Sequence, residues 1–201
     1  MSEDEEQIKR CKAVLIGEAG TGKTSIINRL KNNEFNPVQS PTMCSSMFKK
    51  LVETPGGGSV LIEIWDTAGQ EKYRSINKLF YKDAAIIIMV YDITNQRSFD
   101  EIKNYWYEQI KENCDLQNII LAVSANKSDL FNQEKVKEEH GKMFANRIKG
   151  IFQATSCFTG LGINDLFNQV GLKYIQKTGL PQPPKPLPSP KPPSKKCCKS
   201  S

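Results

Sequence analysis

The stretch GEAGTGKTSI, from Gly17 to Ile26, follows directly on the apolar run AVLI. Its spacing fits G-x-x-x-x-G-K-[ST], the loop that wraps nucleotide phosphates. A glycine-rich turn between a strand and a helix lets backbone N–H groups point at phosphate oxygens, and the helix start adds partial positive charge. In this pattern Lys23 reaches the β- and γ-phosphates, and Thr24 gives its hydroxyl to magnesium.

The whole loop is expected to contact phosphate. The expected phosphate-binding residues in it are Gly17, Glu18, Ala19, Gly20, Thr21, Gly22, Lys23, Thr24 and Ser25. The alternative is a tight turn without a ligand, which the apolar run before the loop and the helical pattern after it disfavour. The loop accounts for phosphate binding only. Residues that recognise a base or catalyse a reaction must therefore lie in other stretches of the sequence.

A second motif, IWDTAGQEKY, runs from Ile64 to Tyr73. An acid at the carboxyl end of a strand beside a phosphate loop can hold a metal through water, which makes Asp66 a metal candidate. Gly69 offers a backbone N–H where a Cβ would obstruct a γ-phosphate. Gln70 has both a donor and an acceptor with which to align water. In isolation Gln70 would read as a solvated amide, and only its place in this string favours a catalytic role.

A third motif, SANKSDL, places Asn126 and Asp129 at the end of an apolar strand. A carboxylate that accepts two N–H bonds from one edge of a ring fits guanine, whose N1–H and N2 amino group are both donors. Adenine lacks this pair of donors. An aspartate here could also cap a helix, but its position after the first two motifs favours base recognition.

Hydrophobic patterning predicts an α/β fold with a largely parallel sheet. The length of 201 residues suits one domain, and 38% hydrophobic with 25% charged residues is typical of globular proteins. Strands are predicted near 13–16, 47–53, 60–65, 84–91, 119–125 and 150–154, and helices over 23–31, 98–113, 134–148 and 163–175, with a shorter one within 76–81. The turn TPGGGS predicts that the second and third strands form an antiparallel hairpin at the sheet edge.

The chain divides into three parts by composition. We expect an acidic, disordered segment over 1–9, the folded domain over 10–176, and a flexible tail over 177–201 that is rich in proline and lysine. Eight of the eleven prolines and five lysines follow Leu180, so the net charge of +6 belongs mainly to the tail. A cationic tail suits an anionic membrane surface, and a near-neutral body argues against a nucleic-acid partner. No apolar run reaches bilayer length, and the N-terminus does not read as a signal peptide.

Here the motifs together resemble a known family. GEAGTGKT, Pro41-Thr42, WDTAGQE, NKSD and ATSC occur in order and at familiar intervals, so residues 10–176 closely resemble a Ras-superfamily small GTPase. WDTAGQEKYRS and VYDIT are most similar to the Rab branch, with some likeness to its endosomal members. The implied fold is a P-loop small G domain with a six-stranded, mostly parallel sheet, one antiparallel edge strand, and helices on both faces.

The resemblance implies further site residues. Thr42 would place its hydroxyl on magnesium and its amide on the γ-phosphate, and Phe35 would lie against guanine. Lys127 would cover the ring, and the backbone of Ser156 and Cys157 would meet the guanine carbonyl oxygen. The implied assignments are, for catalysis, Gln70 and Lys23; for phosphate, the loop with Thr42 and Gly69; for guanine, Phe35, Asn126, Lys127, Asp129, Ser156 and Cys157; and for Mg²⁺, Thr24, Thr42 and Asp66.

The resemblance also implies a function. A Rab-like protein binds GTP and GDP with Mg²⁺, hydrolyses GTP slowly until an activating protein acts, and recruits effectors to a membrane in vesicle trafficking. Its partners would be a GTPase-activating protein, an exchange factor, a Rab escort or GDI-type chaperone, and effectors in the GTP state. It would occupy the cytoplasmic face of an intracellular membrane, with endosomes as a candidate, and cycle with the cytosol.

Cys197 and Cys198 end the basic tail, and the resemblance implies that both are geranylgeranylated. Two lipid chains give stable anchoring where one is marginal. Prenylation of Cys198 alone, as a C-a-a-X box, and unmodified thiols remain alternatives. The other four cysteines show no metal spacing and are expected to be reduced thiols.

Some positions depart from the family pattern. Ser156-Cys157-Phe158 stands where the family often has Ser-Ala-Lys, so the lysine that flanks the base is absent. Met43-Cys44 replaces the usual Ile-Gly, and Ala19 replaces a frequent glycine. Met43-Cys44 and Phe158 leave open a GTP-binding scaffold with little or no turnover, whereas the NKSD string disfavours an ATPase or a kinase.

Overall fold

The computed structural model describes residues 8–37, 46–53, 58–66 and 83–179, and these residues build one sheet of six strands. The strands are β1 (Lys9–Ile16), β2 (Ser46–Glu53), β3 (Ser59–Asp66), β4 (Ala84–Asp92), β5 (Ile120–Asn126) and β6 (Ile151–Ala154). They lie in the order β2-β3-β1-β4-β5-β6, with β2 antiparallel to β3 and all other neighbours parallel. The predicted mostly parallel sheet with one antiparallel edge strand is confirmed.

Helices cover both faces of this sheet. They are α1 (Lys23–Asn32), α2 (Gln96–Glu101), a π-helical segment (Ile102–Trp106), α3 (Tyr107–Asn113), a 3₁₀ segment (Ser128–Gln133), α4 (Glu138–Arg147) and α5 (Ile163–Thr178). One apolar core holds residues of α1 and α5, including Ile26 and Leu166. A second core holds residues of α2 to α4 on the opposite face, including Phe99 and Phe144. The predicted helices on both faces are therefore confirmed.

The centre of the sheet explains where the site lies. The run AAIIIMVYD of β4 is buried along almost its whole length, as expected for a parallel strand covered on both faces. β1 pairs with β3 on one side and β4 on the other, so the chain order reverses at β1. In open α/β sheets ligands bind at such switch points, outside the carboxyl ends of the strands. The loop that begins at Gly17 leaves β1 at this position.

Two predicted boundaries were wrong. β1 begins at Lys9 rather than near Ala13, and it pairs with β3 from Lys9 opposite Val60 onward. The first half of the strand, KRCK, is mostly charged, so a hydrophobicity pattern does not identify it as a strand. The helix predicted from Glu134 begins at Glu138. The backbone N–H groups of Lys135 and Val136 donate instead to the carbonyl of Ile93, at 2.8 and 3.0 Å, which holds this segment in a non-helical path.

The long helix predicted over 98–113 is present but begins at Gln96, where the side chain of Asn95 accepts from the amide of Ser98. The pattern did not predict its π-helical middle or the 3₁₀ segment after β5. The predicted short helix within 76–81 and most of the TPGGGS turn lie outside the described residues. Within the ranges described above, the helices are too short or too polar to cross a bilayer.

Candidate nucleotide-binding site

The phosphate loop is shaped by glycines that tolerate no side chain. Gly17 has φ 141°, and a Cβ added there would lie 2.1 Å from the carbonyl oxygen of Val90. Gly22 has φ 94°, and its Cβ would lie 2.3 Å from Nδ2 of Asn126. Both positions therefore require glycine for conformation and for space. The loop runs close against β4 and the end of β5, and it leads directly into α1.

The amino end of α1 faces this loop. Gly22 is the N-cap residue and lacks a side chain to cap the first helical N–H groups. Such N–H groups, with the helix dipole behind them, attract anions. Thr21 Oγ1 donates to the carbonyl of Glu18 over 2.9 Å and closes the turn before the helix. The local backbone therefore has the geometry of an anion-binding turn.

Lys23 lies under the loop. Its side chain is buried, with 5% of the residue exposed, and its Nζ donates to the carbonyls of Gly17 at 2.7 Å and Glu18 at 2.9 Å. Two backbone carbonyls thus fix the ammonium group against the loop. A fixed cation there adds to the positive potential of the helix end.

Hard oxygen donors suitable for Mg²⁺ stand beside the loop. Thr24 lies in the first turn of α1, and Asp66 ends β3 in register with Leu15 of β1. Asp66 is buried, and a hydroxyl and a carboxylate next to a phosphate site are ligands of the kind that Mg²⁺ uses. The chemistry of the donor set therefore fits this ion.

A cleft of about 390 Å³ opens beside the loop. It is lined by Gly22, Ser25, Phe35, Pro37, Asn126, Lys127, Asp129, Leu130, Cys157 and Phe158. Its surface is mainly apolar, and Asp129 supplies a carboxylate. A concave, largely apolar cleft with a few fixed polar groups is typical of a small-molecule site. Ser25, expected at phosphate, lies in the lining of this cleft.

Hydrogen bonds fix the polar groups around the cleft. Ser156 Oγ donates to Asp129 Oδ1 over 2.5 Å and also accepts from the amide of Thr159 at 3.1 Å. Asn126 is buried, accepts from Thr155 Oγ1 at 3.1 Å, and donates from Nδ2 to the carbonyl of Thr21 at 2.8 Å. One amide side chain at the end of β5 therefore joins the loop that begins at Gly17 to the segment that follows β6.

Comparison with known proteins decides the family. Residues 12–176 match the Ras family. The chain is 38% identical to Ras-related protein Rab-5B of Dictyostelium discoideum over 84% of this chain and 77% of that protein. It is 35% identical to Rab5A of Oryza sativa subsp. japonica over 85% and 82%, and 35% identical to Rab-22A of Homo sapiens over 81% and 82%.

The chain belongs to the Ras family. Its similarity to Rab proteins places this small GTPase in the Rab branch, which confirms the resemblance seen in the motifs. It binds GTP and GDP, hydrolyses GTP to GDP and phosphate, and is involved in vesicle trafficking. Mg²⁺ is a general feature of the superfamily, as are regulation by activating proteins, exchange factors and GDI, and recognition by effectors.

Not every predicted site residue of this GTPase lies in the described part of the chain. The structure brings Asn126, Lys127, Asp129, Cys157 and Phe35 to one cleft. Thr42, Gly69, Gln70, Cys197 and Cys198 lie outside the described residues.

The side chain of Lys127 is anchored by a partner that sequence reasoning missed. Its Nζ lies 2.6 Å from Oδ2 of Asp92, the buried last residue of β4. Lys127 itself has φ 64°, a left-handed conformation uncommon for a residue with a side chain. The ion pair and the backbone conformation together hold the lysine stem along the cleft. Asp92 is part of the VYDIT string quoted above. Its position as an acid at the end of an apolar strand is the sequence feature that could have identified it as a site residue.

Burial sets the chemistry of Cys157. Removal of the thiol from water raises its pKa from the ordinary value of 9.0 to about 11, while its hydrogen bond with Asn126 acts in the opposite direction. The thiolate is the reactive form of cysteine, so Cys157 is a packing group at neutral pH. Its Sγ lies 3.5 Å from Oδ1 of Asn126.

Proposed function

We propose that one guanine nucleotide spans the phosphate loop and the cleft, and that its γ-phosphate sets the state of a membrane-attached Rab switch. The contact that carries this proposal is the hydrogen bond from Asn126 to Thr21, at 2.8 Å, because it couples the two ends of the site. A shift of the base-binding loop then disturbs the phosphate loop as well.

Asp129 selects the base in this proposal. Its carboxylate accepts from the N1–H and the N2 amino group of guanine, and Ser156 holds one carboxylate oxygen by a 2.5 Å hydrogen bond. Phe35 and Lys127 bound the ring, since both line the cleft. Cys157 also lines the cleft, whereas Ser156 is linked to it through Asp129, and the backbone of both residues is proposed to meet the guanine carbonyl oxygen. A site built on paired hydrogen bonds rejects bases that leave its buried polar groups unpaired.

The residues of the phosphate loop position the reacting group. Lys23 is held by two carbonyls and offsets charge on the phosphates, and Gln70 aligns the attacking water. Thr24, Thr42 and Asp66 would hold Mg²⁺, which when bound would neutralise phosphate charge. The sequence has no arginine between Lys31 and Lys72. The segments that carry Thr42 and Gly69 therefore lack an arginine to stabilise charge on the reacting phosphate, and an activating protein supplies that charge. Intrinsic hydrolysis is therefore slow.

Thr42 and Gly69 contact the γ-phosphate only while it is present, so hydrolysis releases both segments. Effectors read the GTP state, while an exchange factor and an activating protein set its lifetime. Similarity to Rab5 and Rab22 proteins supports an endosomal membrane as the location. Prenylation of Cys197 and Cys198 attaches the protein there, and a Rab escort or GDI-type chaperone carries it through the cytosol.

The switch is tested by the nucleotide that the protein carries. A Gln70→Leu variant isolated from its native cells should hold mostly GTP, because the water-aligning amide is gone, whereas wild type should hold mostly GDP. Gln96→Leu is the matched control, since Gln96 is exposed on α2. Equal GDP content in Gln70→Leu and wild type would remove the role assigned to Gln70.

The tail is tested by intact mass. Protein from native cells should carry two isoprenoid additions, and Cys197→Ser and Cys198→Ser should each lose one and weaken membrane attachment. A wild-type mass with one addition supports the C-a-a-X alternative, and an unmodified mass rejects lipid anchoring at these cysteines.

A further inference from the structure

Arg29 ties α1 to the loop that follows β6. Its Nε donates to the carbonyl of Cys157 over 2.7 Å, and its Nη2 donates to the carbonyl of Phe158. Nη1 donates to the carbonyl of Asn33 over 2.7 Å, at the left-handed residue that ends α1. One guanidinium therefore holds two chain segments that are more than a hundred residues apart in sequence. Arginine suits this role because its planar fork presents several donors at once.

Each of these segments contributes an aromatic ring to the cleft. Phe35 follows Asn33 by two residues, and Phe158 is itself one of the residues that Arg29 holds. The ring centroids of Phe35 and Phe158 are 5.7 Å apart with an interplanar angle of 82°, an edge-to-face pair. Edge-to-face contact is a favoured arrangement of two aromatic rings. The aromatic pair thus closes one wall of the cleft.

Both rings are unusually exposed for their size. Phe35 is 36% exposed and Phe158 is 62% exposed, although both line the mainly apolar cleft. A flat aromatic ligand in the cleft would cover this surface. Position 158, where the family often has lysine, therefore gives this chain an apolar ring in place of a solvated cation.

We propose that Arg29, Phe35 and Phe158 form a latch that slows release of guanine nucleotide. The inference rests on the placement of guanine in the cleft under the proposed function. Release requires the two rings to separate, and Arg29 restrains the segments that carry both of them. Phe158 is a specificity-determining contact to the base, whereas Arg29 acts through the two loops and is a positioning residue.

The test is the release rate of a fluorescent GDP analogue, chased with excess GDP in the presence of Mg²⁺. Phe158→Ala and Arg29→Ala should each release the analogue about tenfold faster than wild type, a change that corresponds to about 1.4 kcal/mol. Phe158→Tyr should release it at about the wild-type rate, because the ring is kept. The double variant should be no faster than about the faster single variant, since both act on one latch.

Controls separate the latch from general destabilisation. Leu161→Ala removes a 63% exposed side chain from the same loop but outside the cleft lining, and Lys31→Ala removes an exposed cation from α1. Both should release the analogue at about the wild-type rate. Should Arg29→Ala fail to fold, the comparison of Phe158→Ala with Phe158→Tyr decides by itself. Release within about twofold of wild type in Phe158→Ala would overturn the latch, whereas wild type that binds no guanine nucleotide would overturn the proposed function.

Discussion

The side-chain amide of Asn126 donates to the carbonyl oxygen of Thr21 over 2.8 Å and joins the end of β5 to the phosphate loop. The same side chain accepts from Thr155 Oγ1 at 3.1 Å. Asn126 is buried, so this bridge is shielded from competing water. Its donor and its acceptor are both used, which gives the amide one allowed orientation.

Asn126→Asp should break this bridge. A carboxylate cannot donate to Thr21, and it places a buried negative charge against a carbonyl oxygen. We expect a loss of about 3 kcal/mol in the free energy of unfolding and a fall of at least about a hundredfold in GDP affinity. Denaturant unfolding and nucleotide titration measure these effects. Asn164→Asp, at an exposed position on α5, should change neither. Wild-type affinity in Asn126→Asp would contradict the bridge.

Alanine at the loop glycines should give graded effects. Gly17→Ala brings a Cβ to 2.1 Å from the Val90 carbonyl oxygen, so backbone must move, whereas the space around Gly20 is open to 4 Å. Gly20→Ala therefore bears only the cost of its φ of 76°, on the order of 1 kcal/mol, and Gly17→Ala should lose about 3 kcal/mol or more. Thermal unfolding without nucleotide compares them. Equal stability of the two variants would show that the close approach to β4 is unimportant.

Asp129→Asn should change the base preference from guanine to xanthine. The amide can keep an oxygen toward Ser156 and turn its NH₂ toward the base, where the 2-oxo group of xanthine accepts a hydrogen bond that guanine cannot accept. We expect GDP affinity to fall at least about a hundredfold while xanthosine diphosphate binds more tightly than GDP. Asp165→Asn, on the exposed surface of α5, should retain guanine preference. Competition of both diphosphates against one fluorescent probe reads out the preference.

Alkaline pH should destabilise the folded protein. Burial raises the pKa of Cys157 from 9.0 to about 11 and, with the charge of Glu63, that of Cys11 to about 12. The folded state holds these protons more tightly than the unfolded chain, so their stabilisation is complete below pH 9 and is lost progressively as the pH rises from 9 through the folded-state pKa values of about 11 and about 12. We expect Tm to fall by about 5 °C or more between about pH 8 and pH 11.

Cys157→Ala isolates one contribution to this alkaline loss, because alanine has no proton to lose. The variant should lose less Tm than wild type over the same pH interval. Cys114→Ala is the comparison, since Cys114 is only partly buried and its pKa is raised less. An identical alkaline loss in Cys157→Ala and wild type would show that the buried thiol does not contribute.

The sequence predicted the parts of this molecule that depend on local pattern. Spacing and composition were enough to predict the apolar run of β4, the glycines of the phosphate loop and the acid at the end of β3. Asn126 and Asp129 share a loop because they leave the same strand end. For these residues, the local sequence around each side chain is enough to predict its position in the fold.

Other features depend on contacts between distant segments, which a single sequence does not display. Arg29 meets the carbonyls of Cys157 and Phe158, and its place on α1 gives no sign of them. Lys127 pairs with Asp92 across neighbouring strand ends. The late start of α4 results from backbone bonds to Ile93. Each of these outcomes was decided by tertiary contacts rather than by propensity.

The most direct test of the switch is single-turnover hydrolysis of protein-bound GTP, measured with and without a cognate activating protein. By analogy with the intrinsic GTP hydrolysis rate of Ras, we predict a rate on the order of 10⁻⁴ s⁻¹ without an activating protein. With the activating protein we predict an acceleration of about 10⁵-fold. Gln70→Leu should show neither rate. Hydrolysis faster than about 1 s⁻¹ without any partner, or equal hydrolysis by Gln70→Leu and wild type under activator, would contradict a timed switch that depends on Gln70.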